Sequence, residues 1–150
     1  MTLNLGHIGL NVTDLDRSLA FYLDVLGFAA LSEGKDGDRR YAFLGDGDGD
    51  GRPVLTLWQQ AQGPYDSDRA GLHHLAFAAD SIEQVERYEE ALKAYGAEFA
   101  YEGVVAHREG AASGGIFFHD PDGTRVEISV PSGAENALAP NAEAPTCGFF

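Results

Sequence analysis

The sequence predicts an α+β domain built from two βαβββ modules. Three observations lead there. First, the second half echoes the first: HIGLNV at 7–12 resembles HLAFAA at 74–79, with the two leading histidines 67 residues apart. Second, each of these runs is followed by a capping signal and a helical pattern that ends at glycine. Third, each helix is followed by three short strand-like runs separated by Gly- and Asp-rich turns. One helix on a small sheet cannot bury itself alone. Two such units together are expected to form a curved mixed sheet with helices on the outer face and an open cleft on the other.

The elements follow in order. Ile8, Leu10 and Val12 alternate onto one face of the first strand, and His7, Gly9 and Asn11 onto the other. Thr13 and Asp14 precede a helix with Leu15, Leu19, Leu23 and Leu26 on one face, and Gly27 supplies the stop. GFAALSEG (27–34), RYAFLGDGDG (40–49) and PVLTLW (53–58) complete the first module. In the second, Leu75, Phe77 and Ala79 form the core face, opposite His74, Ala76 and Ala78. Ser81 with Gln84 three residues on reads as a capping box, Ile82, Val85, Leu92 and Tyr95 line the helix face, and Gly96 closes it. GAEFAYEG (96–103), GIFFHDPDG (115–123) and TRVEIS (124–129) are the remaining strands. The domain is expected over 1–131, with modules at about 3–60 and 70–131. From Pro131 the chain is rich in Ala, Pro, Gly and Asn, which predicts an extended or disordered tail over 132–150, whose Phe149 and Phe150 could dock on the body or a neighbouring subunit.

Bulk properties narrow the function. The 150 residues are 44% hydrophobic and 23% charged, with a formal net charge of −14. So acidic a chain argues against nucleic acid or an anionic membrane as partner. No apolar run reaches membrane-spanning length, and no positively charged region precedes the first apolar residues as in a signal peptide. A single cysteine, Cys147, allows no intrachain disulfide, so a reducing cytoplasm is the expected location.

Alternation selects a site. His74 falls in register with His7 on the face away from the core, while His73 falls on the core side or at the fraying strand start. In the last strand Val126, Ile128 and Val130 face the core, and Arg125, Glu127 and Ser129 face the other way. A carboxylate between Val126 and Ile128 is costly to bury unless paired or bound. His7, His74 and Glu127 together form a two-histidine, one-carboxylate set with open coordination positions, which favours Fe(II) or Mn(II) and also suits zinc, nickel or cobalt. AHREGAASGG (106–115) reads as a loop over the cleft, with His107 and Arg108 reaching inward. Trp58 and Tyr41 are candidates for an aromatic wall. GDGDGDG (45–51) begins like a calcium loop at Asp46, Asp48 and Asp50, but Leu57 stands where the closing glutamate belongs, so it reads as a hairpin connection.

The motifs HIGLNVTDLDRSLAFYLDVLGF, GLHHLAFAADSIEQV and FFHDPDGTRVEIS resemble the vicinal oxygen chelate superfamily, which includes glyoxalase I, extradiol dioxygenases, fosfomycin-resistance proteins and bleomycin-binding proteins. The resemblance spans roughly residues 3–131. It implies paired βαβββ modules and metal ligands at His7, Thr56, His74 and Glu127. Thr56 departs from the pattern, because glyoxalase I-like members have a carboxylate or glutamine there and a hydroxyl is neither a good ligand nor a base. Two histidines and one glutamate match the dioxygenases, so the ligand set leans toward dioxygenase-like chemistry on a small substrate with vicinal oxygens. Against that, dioxygenases carry a tyrosine about ten residues before the glutamate, where this chain has Phe117 and Phe118. A glyoxalase-type lyase or isomerase and a drug-sequestering binding protein are the alternatives. Glu127 and His107 are the expected catalytic residues. Asn11, Thr56, Trp58, Arg108 and Arg125 are the expected substrate-cleft residues. The partner expected is a small-molecule substrate, and the modules pair either within one chain or across a homodimer, in which His7 of one chain meets His74 and Glu127 of the other.

Overall fold

A computed structural model describes residues 1–47 and 49–148. The chain divides into two compact units, Met1–Pro64 and Tyr65–Phe150. Each is a βαβββ module of an α+β fold, as the repeat predicts.

In the first module β1 (Ile8–Val12) leads to α1 (Leu15–Leu19), then β2 (Ala29–Asp36), β3 (Arg39–Gly45) and β4 (Leu55–Gln59). The strands form a mixed sheet in the order β1-β4-β3-β2, with β1 parallel to β4 and the other pairs antiparallel. Alternation sorts the faces: Leu10, Val12, Ala42, Leu44, Leu55 and Leu57 are buried with Leu15, Phe21 and Tyr22. The Asp14 carboxylate caps α1 by accepting from the Arg17 backbone N–H at 3.1 Å.

The first helix departs from the regular pattern. Residues Ala20–Val25 form π-type turns, and the Leu26 N–H donates to the Phe21 carbonyl five residues back. The wider turn brings Phe21 and Tyr22 fully into the core and leaves Leu23 half-buried. Leu15, Leu19 and Leu26 of the expected face are buried, and only Leu23 departs from the α-helical period.

The second module repeats the plan with β5 (Leu75–Ala78), α2 (Ile82–Tyr95), β6 (Val105–Ala106), β7 (Gly114–His119) and β8 (Arg125–Val130), in the order β5-β8-β7-β6. Ser81 caps α2 by accepting from the Gln84 N–H, while Gln84 Oε1 accepts from Asp80 N–H at 2.7 Å, one residue beyond the reciprocal partner a capping box uses. Gly96 ends the helix in the left-handed region at φ 88°. Val85 and Leu92 are fully buried, but Tyr95, in the last turn, is exposed.

Two further differences concern the second module's outer edge. The stretch 96–103 is not a regular strand. It makes one bridge, Phe99 to Phe118, and the edge strand is the two-residue β6. Among its described residues the segment after Pro131 forms no strand, yet it packs on this module: Ala134 and Thr146 are buried, and a 3₁₀ turn spans Thr146–Gly148. Composition registers the absence of regular structure but not this docking. Phe149, Phe150 and Asp48 of the acidic stretch lie outside the described residues. The described part of that stretch joins antiparallel β3 to β4, with Arg52 N–H donating to Asp50. No helix among the described residues is long and apolar enough to cross a membrane.

Candidate metal centre

Strand register places the candidate side chains on the face of each module's sheet away from its helix. In the second module β8 presents Glu127, with Ala76 of β5 on one side and Phe117 of β7 on the other. Only 5% of the Glu127 side chain is exposed, so its charge must be compensated locally. Two imidazole nitrogens face its oxygens. His107 Nε2 lies 2.7 Å from Glu127 Oε1, and His74 Nε2 lies 3.5 Å from Oε2. His107 Nδ1 in turn lies 3.0 Å from Ser113 Oγ.

His74 sits immediately before β5, and its Nδ1 is 2.8 Å from Nδ1 of His73. The neighbouring ring therefore holds His74 through Nδ1 and leaves Nε2 directed to the carboxylate. Burial holds His74 below its ordinary pKa, with His73 and Arg125 adding to the effect and Glu127 opposing it. A neutral imidazole is the form a cation requires.

Cys147, half-buried in the C-terminal segment, joins them. Ligand atoms of His74, Glu127 and Cys147 all lie within 4.8 Å of one another. Nitrogen, carboxylate oxygen and sulfur at such separations are a donor set that fits a divalent cation.

In the first module the equivalent face carries His7, Gly9 and Asn11 from the β1 end. His7 is exposed, one residue before the strand. Thr56 of β4 pairs in register with Gly9 and Phe43, and its Oγ1 accepts from the Trp58 indole at 3.1 Å. Thr56 thus occupies the place that Glu127 holds in the second module, and its hydroxyl is already engaged. Tyr41, Phe43 and Trp58 cluster on this face, with Tyr41 and Trp58 ring centroids 5.0 Å apart. Asn11 Oδ1 accepts from Gln60 at 2.7 Å. Arg125 is half-buried two residues before Glu127, on the same face, and Arg108 is exposed in the turn after β6.

The arrangement is a pair of βαβββ modules of which the second carries a histidine–glutamate centre. The comparisons agree with this class. Residues 4–128 match the Glyoxalase/Bleomycin resistance protein/Dioxygenase superfamily, and the chain belongs to it. It is similar to the lactoylglutathione lyase of Haemophilus influenzae, at 34% identity over 81% of this chain and 88% of the relative, and to a probable lactoylglutathione lyase of Vibrio cholerae, at 32% over 81% and 86%. Among solved structures, a glyoxylase/bleomycin resistance protein/dioxygenase domain from Frankia superposes with a TM-score of 0.75 at 24% identity, covering 87% of this chain and 99% of that one. The fosfomycin resistance protein FosX from Listeria monocytogenes, complexed with Mn(II), does so with a TM-score of 0.66 at 23% identity, covering 91% and 98%.

Proposed function

We propose that this protein is a divalent-metal-dependent lyase or isomerase of the glyoxalase type, acting on a small substrate with two neighbouring oxygens. The observation that carries the reading is the buried Glu127 carboxylate with a histidine nitrogen facing each of its oxygens. His74 and Glu127 of the second module would hold the cation. Bound there, a divalent ion supplies Lewis acidity that stabilises negative charge on the substrate's paired oxygens.

The protein's own groups then handle a proton. In this chemistry one proton leaves the carbon bearing a hydroxyl and returns to the adjacent carbonyl carbon, so no oxidant or reductant is consumed. Glu127 is the base positioned for removal. Its 2.7 Å contact gives His107 the means to take up or return that proton, and Ser113 holds the far side of the ring. This relay supplies a second proton-transfer group beside Glu127. Arg108 and Arg125 of the same module would contact polar groups of the substrate.

The relatives named as lactoylglutathione lyases favour a glutathione thioester as product. The dioxygenase reading shares the histidine–glutamate centre, but the residue in register with Glu127 on β7 is Phe117, which offers no phenol. The test is a thioester assay of the metal-loaded chain with the hemithioacetal of methylglyoxal and glutathione. Thioester absorbance should rise, and it should fail to rise with Glu127→Gln. Dioxygen uptake with a catechol, and no thioester, would overturn the assignment in favour of ring cleavage.

A further inference from the structure

We infer that Cys147 is a protein ligand to the cation held at His74 and Glu127, delivered by the C-terminal segment. The inference rests on the metal reading above and adds to it a donor from outside the repeated modules.

Placement of the sulfur is the first support. Its distances to the His74 nitrogen and Glu127 oxygen fall within 4.8 Å. A four-coordinate shell with bonds of about 2.0–2.3 Å needs donor atoms roughly 3.5 Å apart, so side-chain shifts of about 1 Å close the set. Glu127 Oε1 is engaged by His107, which leaves Oε2 on the side that faces His74.

Anchoring of the segment is the second support, and it is independent of the sulfur. Thr146 is fully buried, its Oγ1 donates to the Ala106 carbonyl at 2.6 Å, and its N–H donates to the His107 carbonyl at 3.0 Å. The 3₁₀ turn that follows is closed by Gly148 N–H on the Pro145 carbonyl. Cys147 packs on Val105 and Phe117. The backbone that presents the sulfur is therefore fixed to the residue whose ring orients Glu127. Such anchoring fits a presented ligand better than a chance approach of a loose terminus.

The chemistry is balanced. On binding, the thiol gives its proton to solvent and a sulfur–metal bond forms, with no change in oxidation state. Carboxylate and thiolate together neutralise a divalent charge. A thiolate also shifts selectivity toward zinc or cobalt and away from manganese.

Cobalt(II) titration of the full-length, metal-free protein provides the test. One equivalent of cobalt should produce a near-ultraviolet thiolate-to-cobalt charge-transfer band. Because Cys147 is the only cysteine, the band can have no other intrachain source. Cys147→Ser and Cys147→Ala should each still bind one equivalent, about tenfold more weakly, without the band. Stoichiometric cobalt binding to the wild type with no such band would overturn the role of Cys147 and leave the His74–Glu127 centre standing. A band whose intensity per chain grows with protein concentration would also overturn it, by showing a thiolate from another copy. Failure of the wild type to bind cobalt at all, matching His74→Ala, would remove the metal reading and this inference together.

Discussion

Glu127 Oε1 and His107 Nε2 are 2.7 Å apart, on strand β8 and on the turn after β6. The contact joins a nearly buried carboxylate to a ring that is itself held by Ser113. It gives the carboxylate one defined orientation and leaves the opposite oxygen toward His74.

Loss of that contact should loosen the centre without dismantling the sheet. His107→Gln is expected to weaken metal affinity about 10–100-fold, the usual effect of removing an outer-sphere partner. It should also flatten the pH profile of kcat, which a purely structural role would leave in place. Ser113→Ala should show the same changes in smaller measure. Calorimetric metal titration and pH-rate profiles measure both.

Substituting a ligand itself should have a sharper effect. His74→Ala and Glu127→Gln are each expected to reduce metal content from about one per chain to near zero, while far-ultraviolet circular dichroism stays unchanged. Elemental analysis of protein purified without chelator provides the measurement.

The positions of His74 and Glu127 on the site face were legible because period-2 alternation around Leu75, Val126 and Ile128 is a local property of each strand. The repeat added register between the modules, since His7 and His74 precede equivalent strands. Cys147 was not legible. Its approach depends on Thr146 bonding to Ala106 and His107, about forty residues away in sequence, and no periodicity encodes a contact of that kind. The short β6 escaped notice for a related reason. Two residues are too few to alternate, and Val105 and Ala106 are strand only because Gly114 and Gly115 lie opposite them.

The docked C-terminal segment should contribute measurably to stability. Thr146→Val keeps the shape but removes the hydroxyl that donates to the Ala106 carbonyl. The lost bond, with an acceptor left buried, should cost about 1–2 kcal/mol. Denaturant unfolding of the metal-free protein should show a lower midpoint with an unchanged slope.

An acid-range effect is expected in the first module. The Arg40 guanidinium holds the Asp16 carboxyl below its usual pKa, through hydrogen bonds at 2.8 and 2.9 Å. A carboxyl lowered on folding stabilises the native state above its unfolded pKa of about 3.9, and that contribution disappears as pH falls through the lower folded value. Asp16 is solvent-exposed, so the effect is small and sensitive to salt. Stability curves of wild type and Asp16→Asn should differ near neutrality and converge in acid once pH has fallen through the lowered folded pKa. A gap that persists in strong acid would show that the pair contributes by something other than charge.

The π-type turns at Ala20–Val25 bear on how this lineage can vary. Wide turns of this kind carry one more residue than an α-helix spanning the same length, so deleting a single residue there would restore ordinary helical winding. The deletion would also swing Phe21 and Tyr22 roughly a quarter of a revolution off the sheet. Relatives that lack the extra residue must therefore fill the space beneath with differently placed side chains, and an insertion or deletion here should be accompanied by exchanges at the aromatic positions beside it.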